Sequence, residues 1–480
     1  MVRFFLFLLI CLTSSIVVVD AKVVTYPAGK GVELLDDYTV RVRQLGEEWQ
    51  SVAVYPVKVD EVRGTTHCVE IASMAYFDFD GIIEVEITSN KGPIKETRIR
   101  PLSYDIKAET EDNKLRFQLD KPCNLSVEVN GDIFHNLHLF ANPIDNNRPT
   151  KREISAAGKR KSNLIYFAPG VHQLPGDTLR IPSGKIVYVD GGARVVGTLI
   201  VKDACDVKIL GRGEIHPKGR GAGVSIIRSR NVEVDGVVVT QLPIGESDSI
   251  KVTNVKGITS YGWGDGFNVF ASSNVKYDGI FARTSDDCTT VYATRLGHKG
   301  SSRNIIMENS TLWADVAHPI NIGLHGNPER PDTIENIRYR NIDVLDQKEP
   351  QLDCQGVFAI VAGDDNLVRD IRFENIRIEN IRQGKLVDIR VALIKKYCAV
   401  PGRGIEDIYF KDIVYNGDNA EVSIIIGYNE ERKVKNVTFE NLVINGVKIC
   451  DDMPGKPKWY KTSDMGRIFV GEHVDNVTFR

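Results

Sequence analysis

NVEVDGVVV (231–239), NVKYDGIFA (274–282), NIRYRNIDV (336–344), DIRFENIRI (370–378), DIYFKDIVY (407–415) and NVTFENLVI (436–444) are copies of one pattern. Each opens on Asn or Asp, continues with Val or Ile, then alternates, often with an Asn or Gly four to six residues later. Ten residues lead such units: Asp206, Asn231, Asn254, Asn274, Asn304, Asn336, Asp370, Asp407, Asn436 and Asn476. Their spacings are 25, 23, 20, 30, 32, 34, 37, 29 and 40 residues. A repeat of this length built from short strands signs a solenoid, because one unit cannot bury its own apolar face and stacked units share a core. No helical segment separates the strands, so βαβ folds and leucine-rich horseshoes fit badly. The pattern predicts a right-handed parallel β-helix; a sandwich or propeller of unrelated strands is the competing reading. Asn suits the turns because it tolerates the left-handed region and bonds its own backbone. In the front coils, YVDGGARVVG (188–197) and KILGRGEI (208–215), Gly takes that place. The uneven spacing predicts loops on one side, where such folds often build their binding face.

Upstream the texture differs. Alternating strands are predicted at Tyr38–Arg43, Ser51–Val57, Ile82–Ile87, Lys114–Leu119 and Leu125–Asn130, with turns such as Asn130-Gly131 between them. This reads as an antiparallel β-sandwich over 22–150. A polar, basic linker from Asp145 to Lys161 separates it from the β-helix at 160–480. Residues 1–21 have Arg3, an apolar run from Phe4 to Leu12 and a small-residue cleavage site at Val19-Asp20-Ala21, the pattern of a secretory signal peptide. An N-terminal membrane anchor is the alternative, but Thr13, Ser14 and Ser15 leave the apolar run short for a span. The expectation is therefore a secreted or periplasmic protein, with no membrane span after cleavage.

Composition narrows the partners. Of 480 residues, 61 are Lys or Arg and 64 are Asp or Glu, a net charge of -3, so no electrostatic footprint for nucleic acid exists. Cleavage would remove Cys11 and leave Cys68, Cys123, Cys205, Cys288, Cys354, Cys398 and Cys450. None shows CxxC spacing, which argues against a zinc site; one or two bridges are left open. Asn124, Asn309, Asn436 and Asn476 begin N-x-[ST] sequons.

The chemistry concentrates between Tyr261 and Gly326. Asp265 and Asp286 are 21 residues apart, about one short coil. Stacked coils lie about 4.8 Å apart, so Asp265 can face Asp286 and Asp287 across neighbouring rungs. Three carboxylates so close cannot all ionise freely, and at least one pKa should rise, as a general acid near neutral pH requires. Neighbouring strand residues point to opposite faces, so Asp286 and Asp287 must stand at a strand end or kink to act together. His318 follows one coil later. Acidic residues at β-helix turns can also be mere caps.

GDGFNVFASSNV (264–275), SDDC (285–288) and AHPINIG (317–323) resemble the active-site run of polygalacturonase-type glycoside hydrolases, family 28. That family carries N-T-D-G, D-D, G-H-G and R-I-K elements. Here Gly264-Asp265-Gly266 stands where N-T-D-G would, His318 takes the G-H-G place without flanking glycines, and no R-I-K follows. The layout also resembles the dextranase and isopullulanase group, family 49, which joins an N-terminal sandwich to a β-helix of the same clan. Arg100–Pro143 looks like the last part of that sandwich, and Tyr166–Gly197 like the opening of the helix.

The resemblance implies Asp286 as general acid, Asp265 and Asp287 holding and deprotonating the attacking water, and His318 tuning the acid. Such a set predicts inversion. No metal or organic cofactor is implied. Tyr261, Trp263 and Trp313 are candidate sugar platforms, and Arg283, Arg295, His298 and Lys299 candidate ligands for an acidic sugar; each has a packing or surface role as its alternative. His325 is unmatched to any family element. The functional expectation is a hydrolase acting on a polysaccharide substrate, pectic or, alternatively, an α-glucan as for dextranases. A lyase or a non-catalytic carbohydrate-binding β-helix are the other readings. Oligomeric state is left open.

Overall fold

All ten leading residues have a positive φ, between 52° at Asn231 and 64° at Asn476. Asn and Asp enter this region at low cost because the short polar side chain bonds nearby backbone, so the chain bends there without glycine. The computed structural model in which this is seen describes residues 22–159 and 161–480; the leader-like segment 1–21 lies outside them.

Strands from Leu164–Phe167 to Val474–Phe479 pair almost entirely in parallel with the equivalent strand one coil on, in one 28-stranded ladder. This is the parallel β-helix that the repeat predicts. Alternate apolar residues turn inward and form one continuous core from Leu174 to Phe479. Inside it Phe373, Phe410, Phe439 and Phe479 stack at 4.9, 4.7 and 4.9 Å, the pitch of hydrogen-bonded strands. Outside, the leading amides form a ladder: Asn304 donates to Asn274 at 2.9 Å, Asn336 to Asn304 at 2.7 Å and Asn476 to Asn436 at 3.0 Å.

Asn254 departs from the predicted repeat. Arg230 pairs with Asp248 and Val232 with Ile250, so Ser249, with φ 58°, takes the corner that Asn231 holds one rung earlier. Asn254 stands at the following corner, in line with Gly279 and Asn309. The coil steps there are 18 and 25 residues, from 231 to 249 to 274.

Residues 22–143 form two packed sheets. The five-stranded sheet runs Gln50–Val52, Tyr38–Gln44, Ile83–Ser89, Lys114–Leu119, Glu109–Glu111. The other runs Lys22–Thr25, Thr66–Asp80, Asp132–Pro143, Cys123–Val129, Thr97–Arg100, with Val54–Arg63 also on Thr66–Asp80. Thr66–Asp80 was absent from the predicted strands. From Ala72 to Phe79 it is buried on both faces: Ala75, Phe77 and Phe79 enter the sandwich core, whereas Met74 and Tyr76 pack with Val238, Ile258 and Phe281 of the helix. Polar bonds cross the same seam: Arg212 Nε donates to Asp78 at 2.8 Å and Arg100 to the Leu345 carbonyl at 2.7 Å.

The expected linker is partly helical. Lys151–Ala156 is a short helix whose Thr150 and Glu153 cap each other, which satisfies amides that water would otherwise have to serve. All seven described cysteines are free thiols. No helix among the described residues is long and apolar enough to cross a membrane.

Candidate active site

The candidate carboxylates and His318 lie at one corner of three successive coils. Asp265 precedes the strand Phe267–Phe270, Asp286 and Asp287 precede Thr289–Tyr292, and His318 precedes Ile320–Gly323. Phe267 pairs with Thr289, and Thr289 with Ile320. Asp265, Asp287 and His318 each stand two residues ahead of these partners, so they occupy one register position on adjacent rungs. Asp286 stands one residue earlier. The turn 285–288, between Phe281–Thr284 and Thr289–Tyr292, is what allows two consecutive aspartates to serve one site.

Local sequence makes this turn tight. A Cβ on Gly264 would meet Ser285 Oγ at 2.4 Å, and one on Gly266 the Cys288 carbonyl at 2.5 Å. Only glycine lets the Asp265 turn nest on the next one. Two residues upstream of Asp265, Trp263 has φ 48°, and Tyr261 has φ 76°. Bulky side chains pay about 1–3 kcal/mol for such a conformation, and the bonds that hold it are strong: buried Asp60 accepts from Gly262 N at 2.9 Å, and Thr259 Oγ1 donates to the Gly264 carbonyl.

The three carboxyls differ in protonation. Burial, then the charges of Asp287 and Asp265, push Asp286 well above the usual carboxylate range. Burial and Asp287 raise Asp265 to about 7, against the opposing pull of Asn268 and Arg295. Asp287 is buried too, but the charge and hydrogen bond of His318, with bonds from Asn321 and Tyr292, outweigh that and hold it below the usual range. His318 Nδ1 lies 2.6 Å from Asp287 Oδ1, and Asn321 Nδ2 donates to Oδ2 at 2.9 Å. For His318, burial disfavours charge, but Cys354 and Asp287 reverse this and raise its pKa well above the usual value. The cluster therefore carries a proton on Asp286 beside an ionised Asp287, the division of labour that acid–base chemistry needs.

Several neighbours escaped the sequence reading. Asn268, Thr290 and Asn321 align on adjacent rungs, and Asn268 and Asn321 are each the one polar residue in an otherwise apolar strand; that alignment was the available signal. Tyr292 donates to Asp287 at 3.2 Å. Glu349, its pKa raised by burial first, faces His318 and Asp287. Lys396, on the chain after Val387–Val391, donates to Gln351 at 2.7 Å and feels Glu349 and Asp286. His325 packs edge-on against Tyr292 at 5.0 Å; burial, then Arg295, lower its pKa to about 4. Among the described residues no group of three or more His, Cys, Asp or Glu side chains is set to hold a metal ion.

The predicted sugar-binding residues divide. The charge of Arg295 reaches Asp265 and His325 and lowers the pKa of both, and Trp263 is 76% exposed next to the Asp265 turn. Arg283 and Trp313 are not available to a substrate: both are fully buried in the seam. Arg283 forks onto Asp315 at 2.8 and 3.2 Å, bonds Asn136 at 2.8 Å and lies 4.0 Å from the Trp313 ring. The contacts that the sandwich supplies explain this, and no local sequence feature announces them. His298 stacks on Phe270 at 5.7 Å and fills the space over Gly245, so it packs rather than faces the carboxylates. Lys299 is exposed beside Glu246, on a surface depression with Arg228 and Asp248.

Residues 222–458 match glycosyl hydrolases family 28. No curated protein matches the chain by sequence. Among solved structures, Dex49A from Penicillium minioluteum is 12% identical, with a TM-score of 0.58 over 95% of this chain and 96% of that one. A family 28 exopolygalacturonase of Yersinia enterocolitica is 12% identical, covering 82% of this chain and 96% of that one at TM-score 0.43. PfbA, a surface adhesin of Streptococcus pneumoniae, is 12% identical, covering 61% and 86% at TM-score 0.44. The likeness to Dex49A runs through sandwich and helix alike and shows the fold. On the family match the chain is a glycoside hydrolase, its residues 222–458 being those that match family 28.

Proposed function

We propose that this glycoside hydrolase cleaves a pectic polysaccharide of the polygalacturonate type, with inversion, outside the cell. The observation that carries the reading is the unequal protonation of Asp286 and Asp287 with Arg295 and Lys396 close by. Asp286 protonates the leaving glycosidic oxygen. Asp265 and Asp287 hold the attacking water, and Asp265, the more basic of the two, takes its proton. His318 keeps Asp287 ionised, so that the mobile proton stays on Asp286. Arg295 and Lys396 supply positive charge that Asp265 and Asp286 feel, the property that an acidic sugar requires and that the missing R-I-K does not provide. Export rests on the leader-like residues 1–21.

The test is reducing-end release by wild type and Asp286→Asn from polygalacturonate, rhamnogalacturonan, dextran and pullulan. Release from polygalacturonate by wild type alone supports the proposal. Release from dextran instead would replace the pectic substrate with a neutral α-glucan. Proton NMR of the first product gives the anomer, and retention would contradict the proposed water attack. Sequencing the mature N-terminus from culture medium tests export.

A further inference from the structure

Next to the carboxylates the structure holds an aromatic pair that packing does not explain. Trp263 is 76% and Tyr261 53% exposed, both in the left-handed backbone region that bulky residues avoid. The platform is fixed from two sides. Gln241 Nε2 donates to the Trp263 carbonyl at 3.2 Å from the helix, and Asp60 accepts from Gly262 at 2.9 Å from the sandwich. Over both rings lies one guanidinium: Arg220 is 4.4 Å from the centroid of Tyr261 and 5.2 Å from that of Trp263. Ring faces hold the cation without consuming its N–H donors. Among the described residues Arg220 has no carboxylate partner.

Arg220 and Tyr261 line a cleft of about 1030 Å³ between sandwich and helix, which reaches Gly264, the neighbour of Asp265. Most charges lining it are already paired: Arg194 with Glu214, Lys91 with Asp37, and Lys218 with Asp177 outside it. Arg220 and Lys58 are left against Glu33, a positive balance. Ala222, close to Arg220, bridges Gln241, and Leu242 bonds Gly266, so the Arg220 loop starts two rungs, roughly 10 Å, from the Asp265 turn.

On the pectic reading above, we propose that Arg220, Tyr261 and Trp263 form a distal subsite for a uronic acid unit of the polysaccharide, toward the helix N-terminus from the carboxylates. The free aromatic face takes the apolar face of a pyranose ring. The planar guanidinium forks onto its carboxylate, the pairing for which Arg is better shaped than Lys. Lys58, across the cleft, adds to the field that draws the charged chain in.

The experiment measures binding of tetragalacturonate and of its fully methyl-esterified form to Asp286→Asn, which slows turnover about 10²–10⁴-fold, by calorimetry and tryptophan fluorescence. Adding Arg220→Gln is expected to weaken tetragalacturonate about tenfold and the ester less than about twofold, as loss of one charge-assisted contact requires. Adding Trp263→Ala is expected to weaken both. Both side chains are exposed, and circular dichroism checks that the fold persists. Unchanged tetragalacturonate affinity in Arg220→Gln, equal weakening of both ligands, or no tetragalacturonate binding at all would overturn the subsite. Hydrolysis of polygalacturonate with Arg220 irrelevant to binding would leave the function standing and remove the subsite. Arg220-dependent binding without hydrolysis would do the reverse.

Discussion

Asp287 and His318 form a buried ion pair on adjacent rungs, with His318 Nδ1 2.6 Å and its backbone N–H 3.3 Å from the same carboxylate oxygen. Two donors from one residue fix both the orientation and the charge of Asp287. The proton shared by the cluster is thereby left to Asp286.

His318→Ala should destabilise the protein in a pH-dependent way. The Asp287 pKa is depressed, so its contribution is present above about pH 4 and lost as pH falls through the lower folded value. The His318 pKa is raised, so its contribution is full below about pH 6.5 and lost as pH rises through the higher folded value. The loss should be greatest between those limits, about 3–5 kcal/mol for a buried pair stripped of one partner. Thermal unfolding of both proteins from about pH 2 to about pH 10, across both limits, checks this; a loss that does not vary with pH would contradict it.

Asp265→Asn and Asp286→Asn should raise stability while lowering activity. Both pKa values are raised, by burial first. Ionising these groups in the folded state is therefore costly, and the cost grows as pH climbs above about 4 toward the folded values. The Asn variants should unfold at higher temperature than wild type at pH 7 and at the same temperature near pH 3.5. For Asp286→Asn, kcat should fall about 10²–10⁴-fold, the range for a lost general acid. A lower melting temperature at pH 7 would show that the carboxylates stabilise the fold.

The activity of wild type should fall on the acid side as Asp265 takes up a proton, with a limb near its value of about 7, and on the alkaline side as Asp286 loses its own. A pH profile of kcat/KM reads both limbs. In Asp265→Asn the acid limb should disappear from the residual activity; its persistence would assign that limb to another group.

Gly264→Ala should cost activity more than stability. The added methyl meets Ser285 Oγ at 2.4 Å, so the Asp265 turn must shift outward. A displacement of about 1 Å at a reacting group lowers rate by about 10²-fold. Steady-state kinetics and a melting curve separate the two effects.

Arg283→Ala and Arg295→Ala should fail differently. Removing Arg283 leaves Asp315 buried without its main partner, at a cost of about 3–5 kcal/mol, seen as a lower melting temperature with KM unchanged in the folded protein. Removing Arg295 should raise KM on polygalacturonate with little change in melting temperature. A raised KM in Arg283→Ala would return that residue to the substrate.

The β-helix was legible because its corners favour Asn or Asp, and the alternation between corners repeats. Asn254 misled because the residue at its neighbouring corner is Ser249, which carries no such signal. The strand Thr66–Asp80 was illegible for a different reason. Buried on both faces from Ala72 onward, it has no polar alternation to show there, and its second face exists only because the helix covers it. The carboxylate cluster could be read from its one-coil spacing. Arg283 and Trp313 could not be separated from it, because they lie one strand away in sequence and the sandwich that buries them is over a hundred residues distant. Lys396 was hidden by loop length, which decides how far a side chain reaches and leaves no residue pattern.

The stacking of Asp265, Asp287 and His318 at one register position means that their separations are measured out by peptide hydrogen bonds. Loops elsewhere can lengthen or shorten without moving them, as the 18- and 32-residue steps between coils already illustrate. The backbone acts as a ruler whose graduation is one strand spacing. Such a catalytic group can be altered in kind, by changing a side chain, but its distances can change only by whole divisions. Redesign of this enzyme toward other polymers therefore has its freedom in the rims and in the number of rungs they span, while the reacting centre keeps a fixed gauge.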